Sequence, residues 1–229
     1  NDNELEITLK GDTIKINDDK YKNYNITIPD SYPGVTVSRD WNTISFYFTK
    51  EGIKILGSGG RLTEPIVAER FILFDGIESF ASNRGYIWSR SIPLLHEYFV
   101  KGSGADNYPI AFPQDDFIAK MNTSWNISAN LVIDKPHNMY LQMAINTGTM
   151  SLVALLAVWI IYFISSLILY SKTSFDSTEK IIGVMCFIGI TGYLAAAMFN
   201  DSITSVAPIF WIMLGFGISI NIRLKNKIN

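Results

Sequence analysis

The stretch Asp134-Lys-Pro-His-Asn-Met-Tyr-Leu-Gln-Met-Ala-Ile-Asn-Thr-Gly148 decides the fold, because the residues before it are polar enough for water and most of those after it are not. Pro136 disfavours helix at the residue before it and suits a first helical turn, so a helix start is expected between Pro136 and Asn138. One of the two histidines in the chain, His137, then falls at a helix N-terminus, where free N–H groups suit a neutral imidazole. Asn138, Gln142 and Asn146 recur at i, i+4 and i+8, drawing one polar stripe along an apolar helix. At the edge of a bilayer such a stripe needs a protein-lined or water-filled cavity. Two readings stay open: amides that join helices beside an interfacial histidine, or the wall of a wetted site.

Downstream lie three long apolar runs, at about 149–170, 181–199 and 203–222. Each approaches the roughly 20 residues that a membrane-spanning helix needs. A single buried globular core would not carry so little charge over so many consecutive positions. Arg223, Lys225 and Lys227 crowd the C-terminus, Lys172 and Lys180 sit between the first two runs, and the Asn200-Asp-Ser turn carries no base. The positive-inside rule therefore expects a cytoplasmic C-terminus. Three crossings would then place residues 1–138 outside the membrane.

Upstream, short runs alternate apolar and polar positions: Leu5-Ile7-Leu9, Ile14 and Ile16, Ile26-Thr-Ile28, Ile44 to Phe48, and Ile53-Lys-Ile-Leu56. Turn chemistry such as Lys10-Gly-Asp and Asn17-Asp-Asp separates them, so residues 1–60 are expected to form a small antiparallel β module. Residues 61–138 change texture to mixed loop and amphipathic helix. There Trp88, Ile92, Leu95 and Phe99 form one stripe, expected to lie in the headgroup layer and to be kinked by Pro93. Residues 139–229 form the membrane region. The expected fold class is thus a polytopic α-helical membrane protein with three transmembrane helices, plus an N-terminal extracytoplasmic β-rich module.

Composition agrees: 48% hydrophobic residues is too apolar for an ordinary soluble domain and too polar in its first half for a pure bundle. A net charge of −2 lacks the broad basic field that nucleic acid requires, so no nucleic-acid partner is expected. The lone Cys186 forbids an intrachain disulfide or a thiolate cluster. A chain that starts at Asn1 without Met or leader reads as a piece of a longer protein.

Outside the apolar runs the candidate reactive groups are Arg84, Arg90, His96, Asp115, Asp116, Asp134, Lys135 and His137. No ligand cluster has metal-binding spacing, and no Gly-x-Ser-x-Gly turn presents a nucleophilic serine. What remains is a histidine at a helix start and arginines on an interfacial helix. Guanidinium groups bind diphosphate through paired hydrogen bonds, and helix N-termini add N–H donors. From the residues alone, Arg84 reads equally as a lipid-headgroup anchor or a diphosphate clamp, and His96 as a solvated helix-face residue.

Four segments carry a resemblance: Ser82-Asn-Arg84-Gly-Tyr-Ile-Trp88-Ser-Arg90-Ser-Ile-Pro93, Lys101-Gly102-Ser-Gly104, Phe112-Pro-Gln-Asp, and Lys135-Pro136-His137-Asn138-Met-Tyr140-Leu-Gln142. From about residue 69 onward the chain resembles the C-terminal half of the O-antigen ligase and O-antigen polymerase superfamily. Pro208-Ile-Phe-Trp211-Ile-Met-Leu-Gly215 extends the likeness, whereas residues 1–60 fall outside it and look like the β insert of Gram-positive relatives. The resemblance implies a GT-C-like transferase that works without metal or other cofactor at the outer face of the cytoplasmic membrane. Its partners would be an undecaprenyl-diphosphate-linked glycan donor, the lipid bilayer, and a polysaccharide or lipid-linked acceptor. It implies that Arg84, helped by Arg90, holds the donor diphosphate and that His137 is catalytic, withdrawing the acceptor proton. Asn138, Tyr140, Gln142 and Asn146 would line the cavity or hold sugar hydroxyls. Two departures stand: Gly102 comes eighteen positions after Arg84, farther than the polymerase arginine-to-glycine signature, and the family's earlier membrane helices are absent. The alternative is a non-catalytic, membrane-anchored module whose β region binds glycan. A polysaccharide exporter is disfavoured, since the spans offer no polar pathway.

Overall fold

The computed structural model describes residues 7–57, 60–123, 131–171, 174 and 176–228. Leu5 of the first alternating run and Lys172 of the basic loop lie outside the described residues. The chain divides into two compact units: Asn1–Pro93 with Phe112–Ile133, and Leu94–Ala111 with Asp134–Asn229.

The first unit is built on one seven-stranded antiparallel meander, in which every strand pairs with the next. The strands are β1 (Ile7–Lys10), β2 (Thr13–Ile16), β3 (Asn25–Thr27), β4 (Gly34–Arg39), β5 (Asn42–Thr49), β6 (Gly52–Leu56) and β7 (Leu62–Thr63). Gly11, at φ +61°, allows the tight turn between β1 and β2 that a side chain would oppose. Because side chains alternate across a strand, register sorts the residues into two faces. Ile14, Ile26, Val37 and Ile44 are successive cross-strand partners on one face; Thr13, Thr27, Thr36 and Ser45 are partners on the other. The apolar face is covered by helix α3 (Phe117–Asn122), whose Phe117 and Met121 pack on Ile44 and Ile55.

Residues 80–93 of helix α1 (Phe80–Glu97) are a core element of this unit, not a surface-lying one: Tyr86, Ile87, Ser89, Arg90 and Ser91 are all buried. Its non-helical dihedrals fall at Ala81, Ser82 and Asn83, all left-handed, rather than at Pro93. Proline at 93 removes the N–H that would meet the Ser89 carbonyl one turn earlier. That carbonyl instead accepts the Phe71 N–H at 2.8 Å, so the helix passes through the proline with its polar groups satisfied.

Lys120 on α3 is also buried, and its Nζ donates to the carbonyls of Gln114 (2.8 Å) and Leu131 (2.7 Å). The Gln114 side chain accepts from Ile133 N and donates to Ile133 O, fastening the same returning segment. Burial pushes the Lys120 ammonium down to about 8, against the opposing pull of Asp115 and Asp116.

The second unit holds α2 (Tyr108–Ala111), α4 (Met139–Thr147) and the long helices α5 (Thr149–Tyr170), α6 (Thr178–Ala196) and α7 (Ala207–Ile228). The last three are long and apolar enough to cross a bilayer. The limits of α6 and α7 differ from the apolar runs read at 181–199 and 203–222. Helix α6 starts at Thr178, three residues ahead of its apolar run, and Pro208 occupies the first turn of α7, where a missing N–H costs nothing. Trp159, Tyr162, Cys186, Ile190, Phe210 and Leu214 form their shared core. Within it Asn221 accepts from Tyr170 Oη (2.7 Å) and donates to Ser166 Oγ (2.8 Å), a polar link between α5 and α7. At one end Glu179 of α6 pairs with Arg223 and Lys227 of α7.

The junction between α4 and α5 is closed by the segment ahead of it. Ser103 and Gly104 N–H groups reach the carbonyls of Ile145 and Asn146, which helix α4 leaves open at its end. The N–H groups of Thr149 and Met150, open at the start of α5, donate to Tyr98 and Phe99 carbonyls. A Cβ on Gly102 would collide with the Asn146 carbonyl, so only glycine permits this approach.

Candidate functional site

Helix α4 begins at Met139, with Asn138 as its cap: the Asn138 Oδ1 accepts the Leu141 N–H at 3.0 Å. His137 therefore sits just ahead of the helix, and its backbone is left-handed at φ +50°. Such a conformation in a non-glycine residue persists only where surroundings enforce it, and it collects at functional positions. Here the enforcing contact is visible. His137 Nδ1 lies 2.8 Å from Asp201 Oδ2, in the turn between α6 and α7.

The pair is asymmetric. The Asp201 side chain is 9% exposed and the imidazole 43%. Asp201 Oδ1 is buried and carries no hydrogen bond among the described residues. A carboxylate accepting at Nδ1 assigns the proton to that nitrogen and leaves the Nε2 lone pair free to take another. The arrangement is that of a base held in place by an acid through its far nitrogen.

The polar stripe supports the same turn. Asn138 Nδ2 donates to the Met198 carbonyl (2.9 Å), Gln142 Oε1 accepts the Ser202 N–H (3.0 Å), and Tyr140 Oη donates to the Leu194 carbonyl (2.8 Å). The Met139 N–H adds a bond to the Ala197 carbonyl. Of the stripe, Asn146 alone keeps an unbonded side-chain oxygen, its buried Oδ1. Asn138, Tyr140 and Gln142 thus brace the turn that brings Asp201 to His137.

Arg84 and Arg90 belong to the first unit. Arg84 comes directly after the left-handed turn at 81–83; its Nη1 donates to the Ala81 carbonyl (2.8 Å) and its buried Nε has no hydrogen bond among the described residues. A half-buried guanidinium with a free N–H is equipped to bind an anion. Arg90 is committed differently: 4% exposed, it bonds Asp116 Oδ2 through Nε (3.0 Å) and Ser89 Oγ through Nη1 (3.3 Å). Its guanidinium carbon lies 4.5 Å from the Tyr86 ring centre. Among the described residues no group of three His, Cys, Asp or Glu side chains could hold a metal ion. His96 is exposed.

Asp201 is the residue that sequence reasoning missed. A signal was present: two apolar spans separate it from His137, so chain parity returns the Asn200-Asp-Ser turn to the side on which α5 begins. An acid in that turn can therefore meet the histidine.

Fold and site together define a membrane-associated protein carrying a seven-stranded antiparallel sheet and a histidine–aspartate pair next to three apolar helices. No family model, curated protein or solved structure matches the chain.

Proposed function

We propose that this chain carries site residues of a membrane glycosyltransferase of the O-antigen ligase and polymerase type, the superfamily its motifs resemble. It would transfer or polymerise glycan from an undecaprenyl-diphosphate donor onto an acceptor hydroxyl at the outer face of the cytoplasmic membrane. The observation that carries the reading is the His137–Asp201 contact, with the imidazole left half open. In the proposed step His137 Nε2 takes the proton of the acceptor hydroxyl as its oxygen bonds the anomeric carbon. The bond from that carbon to the donor oxygen breaks, and the diphosphate leaves with the electron pair; the resemblance assigns donor diphosphate to Arg84, whose unbonded Nε–H suits an anion. Asp201 holds the ring and offsets the positive charge that it gains. Arg90 supports the helix that presents Arg84. Basic residues Lys180, Arg223, Lys225 and Lys227 favour a cytoplasmic C-terminus, which puts His137 on the outer side.

The test is single replacement of His137 and Arg84 by Ala in the full-length protein. Polymer is expected to fall at least about 10²-fold, with membrane insertion intact. Unchanged polymer would sink the enzyme reading. A rate that declines only on the acid side of the pH profile marks His137 as base; a decline on the alkaline side marks it as a cation holding diphosphate.

A second reading, a membrane-anchored glycan-binding module, is favoured by one observation. The sheet's polar face aligns Thr13, Thr27, Thr36 and Ser45 across four strands, beside Tyr32 stacked on Tyr47 with ring centres 4.1 Å apart. A glycan that binds while both alanine variants keep making polymer would select it.

A further inference from the structure

The first unit contains a cavity of about 510 Å³, within the size range of ligand pockets. Three stretches wall it: the segment before α1 supplies Arg70, Asp75 and Glu78; α1 supplies Arg90; and α3 with its flanks supplies Asp116, Ala119 and Asn122. We propose that this cavity is a glycan subsite, which takes one or two uncharged sugar rings of the polymer through Glu78, Asn122 and the open Arg70–Asp75 pair at its wall. The choice of a polymer's sugars rests on the transferase reading; the preference for a neutral, hydroxyl-rich ligand rests on the cavity alone.

The charges decide the ligand class. Arg90 and Asp116, both almost fully buried, neutralise each other at 3.0 Å. Arg70 Nε reaches both carboxylate oxygens of Asp75, at 2.9 and 3.2 Å. With two cations matched by two anions, the remaining charge is the half-buried Glu78, which makes no ion pair among the described residues. A phosphate or diphosphate would face that carboxylate and two guanidiniums already engaged, so anions are disfavoured. Closely spaced carboxylates and guanidiniums are what neighbouring sugar hydroxyls use, since each hydroxyl both donates and accepts. Asn122 keeps its NH2 for this purpose, because its Oδ1 is taken by Arg39 Nη1 (3.0 Å) and by the Tyr24 hydroxyl. Val67 and Ile118 add apolar wall for the C–H face of a ring.

The experiment uses the whole chain in detergent, a panel of neutral and acidic lipid-free oligosaccharides including chitobiose and maltotriose, and saturation-transfer NMR. Neutral members are expected to bind, at least 10-fold more weakly in Glu78→Gln, and not at all in Ala119→Phe, which fills the cavity. Inorganic diphosphate at the same concentration is expected not to compete. The thermal transition of each variant certifies its fold, and either variant alone suffices. The proposal is overturned if no neutral saccharide binds, if diphosphate displaces the sugar, or if both folded variants bind like the parent. Failure here leaves the His137 and Arg84 phenotypes standing, whereas sugar binding alongside unaffected polymer in those variants overturns the transferase and not the subsite.

Discussion

Arg90 with Asp116 and His137 with Asp201 are both paired acids and bases, at 3.0 and 2.8 Å, yet they are built toward opposite ends. The first pair is sealed: 5% and 2% of the two side chains is exposed, a ring lies over the guanidinium, and Ser89 takes a further hydrogen. In the second, only the acid is buried; the base is exposed, on a strained backbone. A sealed pair has spent its capacity on its neighbours, and what it gives is a fixed geometry. A pair with one member open keeps a nitrogen for something that arrives from outside. Proximity of opposite charges therefore says little about role; exposure of one partner says more.

The largest effect that tests this contrast is expected in the sealed pair. Asp116→Ala strands the Arg90 charge and should lower stability by about 3–5 kcal/mol, whereas Arg90→Met combined with Asp116→Leu recovers most of it. Denaturation of the detergent-solubilised protein reads both, and a mild single variant would break the contrast. Next is Asp201→Asn, whose amide can donate to Nδ1 and set the wrong tautomer. On the proposed transferase reading, transfer should drop at least about 10²-fold while stability changes by less than about 1 kcal/mol. A large stability loss with little kinetic effect would make this pair structural too.

Lys120 offers a sealed cation held by two carbonyls, with no carboxylate at bonding distance among the described residues. Its folded value of about 8 lies below the ordinary 10.5, so between those values the unfolded chain holds the extra proton. Raising the pH through that window should therefore stabilise the protein. Lys120→Met should lose roughly 1–3 kcal/mol at neutral pH, by orphaning the two carbonyls, and should abolish that alkaline gain. Smallest is Asn221→Leu in the α5–α7 link, with about 0.6 kcal/mol expected in a reversible detergent unfolding series. Burial of uncharged polar groups would then be confirmed as a weak tie.

Period and length made the apolar helices legible, because bilayer thickness imposes a run of similar residues that no other environment requires. Alternation likewise exposed an antiparallel β module, but not β4 (Gly34–Arg39) or β7 (Leu62–Thr63), nor the order and register of the strands, which pairing across the sheet decides. The environment of α1 was not legible: its buried face includes Ser89 and Arg90, polar residues whose partners at Phe71 and Asp116 are set by tertiary contacts, and Ser91, which bonds back to the Ile87 carbonyl of its own helix. Pro93 suggested a kink for the same local reason, and a distant N–H from Phe71 removed the need for one. At the candidate site, proline and asparagine at 136 and 138 announced the helix start within a residue or two. The acid that grips the ring could be found only by pairing turns across spans, since nothing in the Asn200-Asp-Ser turn marks it.

The imidazole and its carboxylate are 64 positions apart, with the α5 and α6 helices between them. During synthesis, then, the histidine leaves the ribosome well before its aspartate exists. The contact between them can form only once α5, α6 and the turn that follows have all been made. A chain halted after α5 would carry the ring without the carboxylate that holds it, so connectivity alone sets the order in which this pair is assembled.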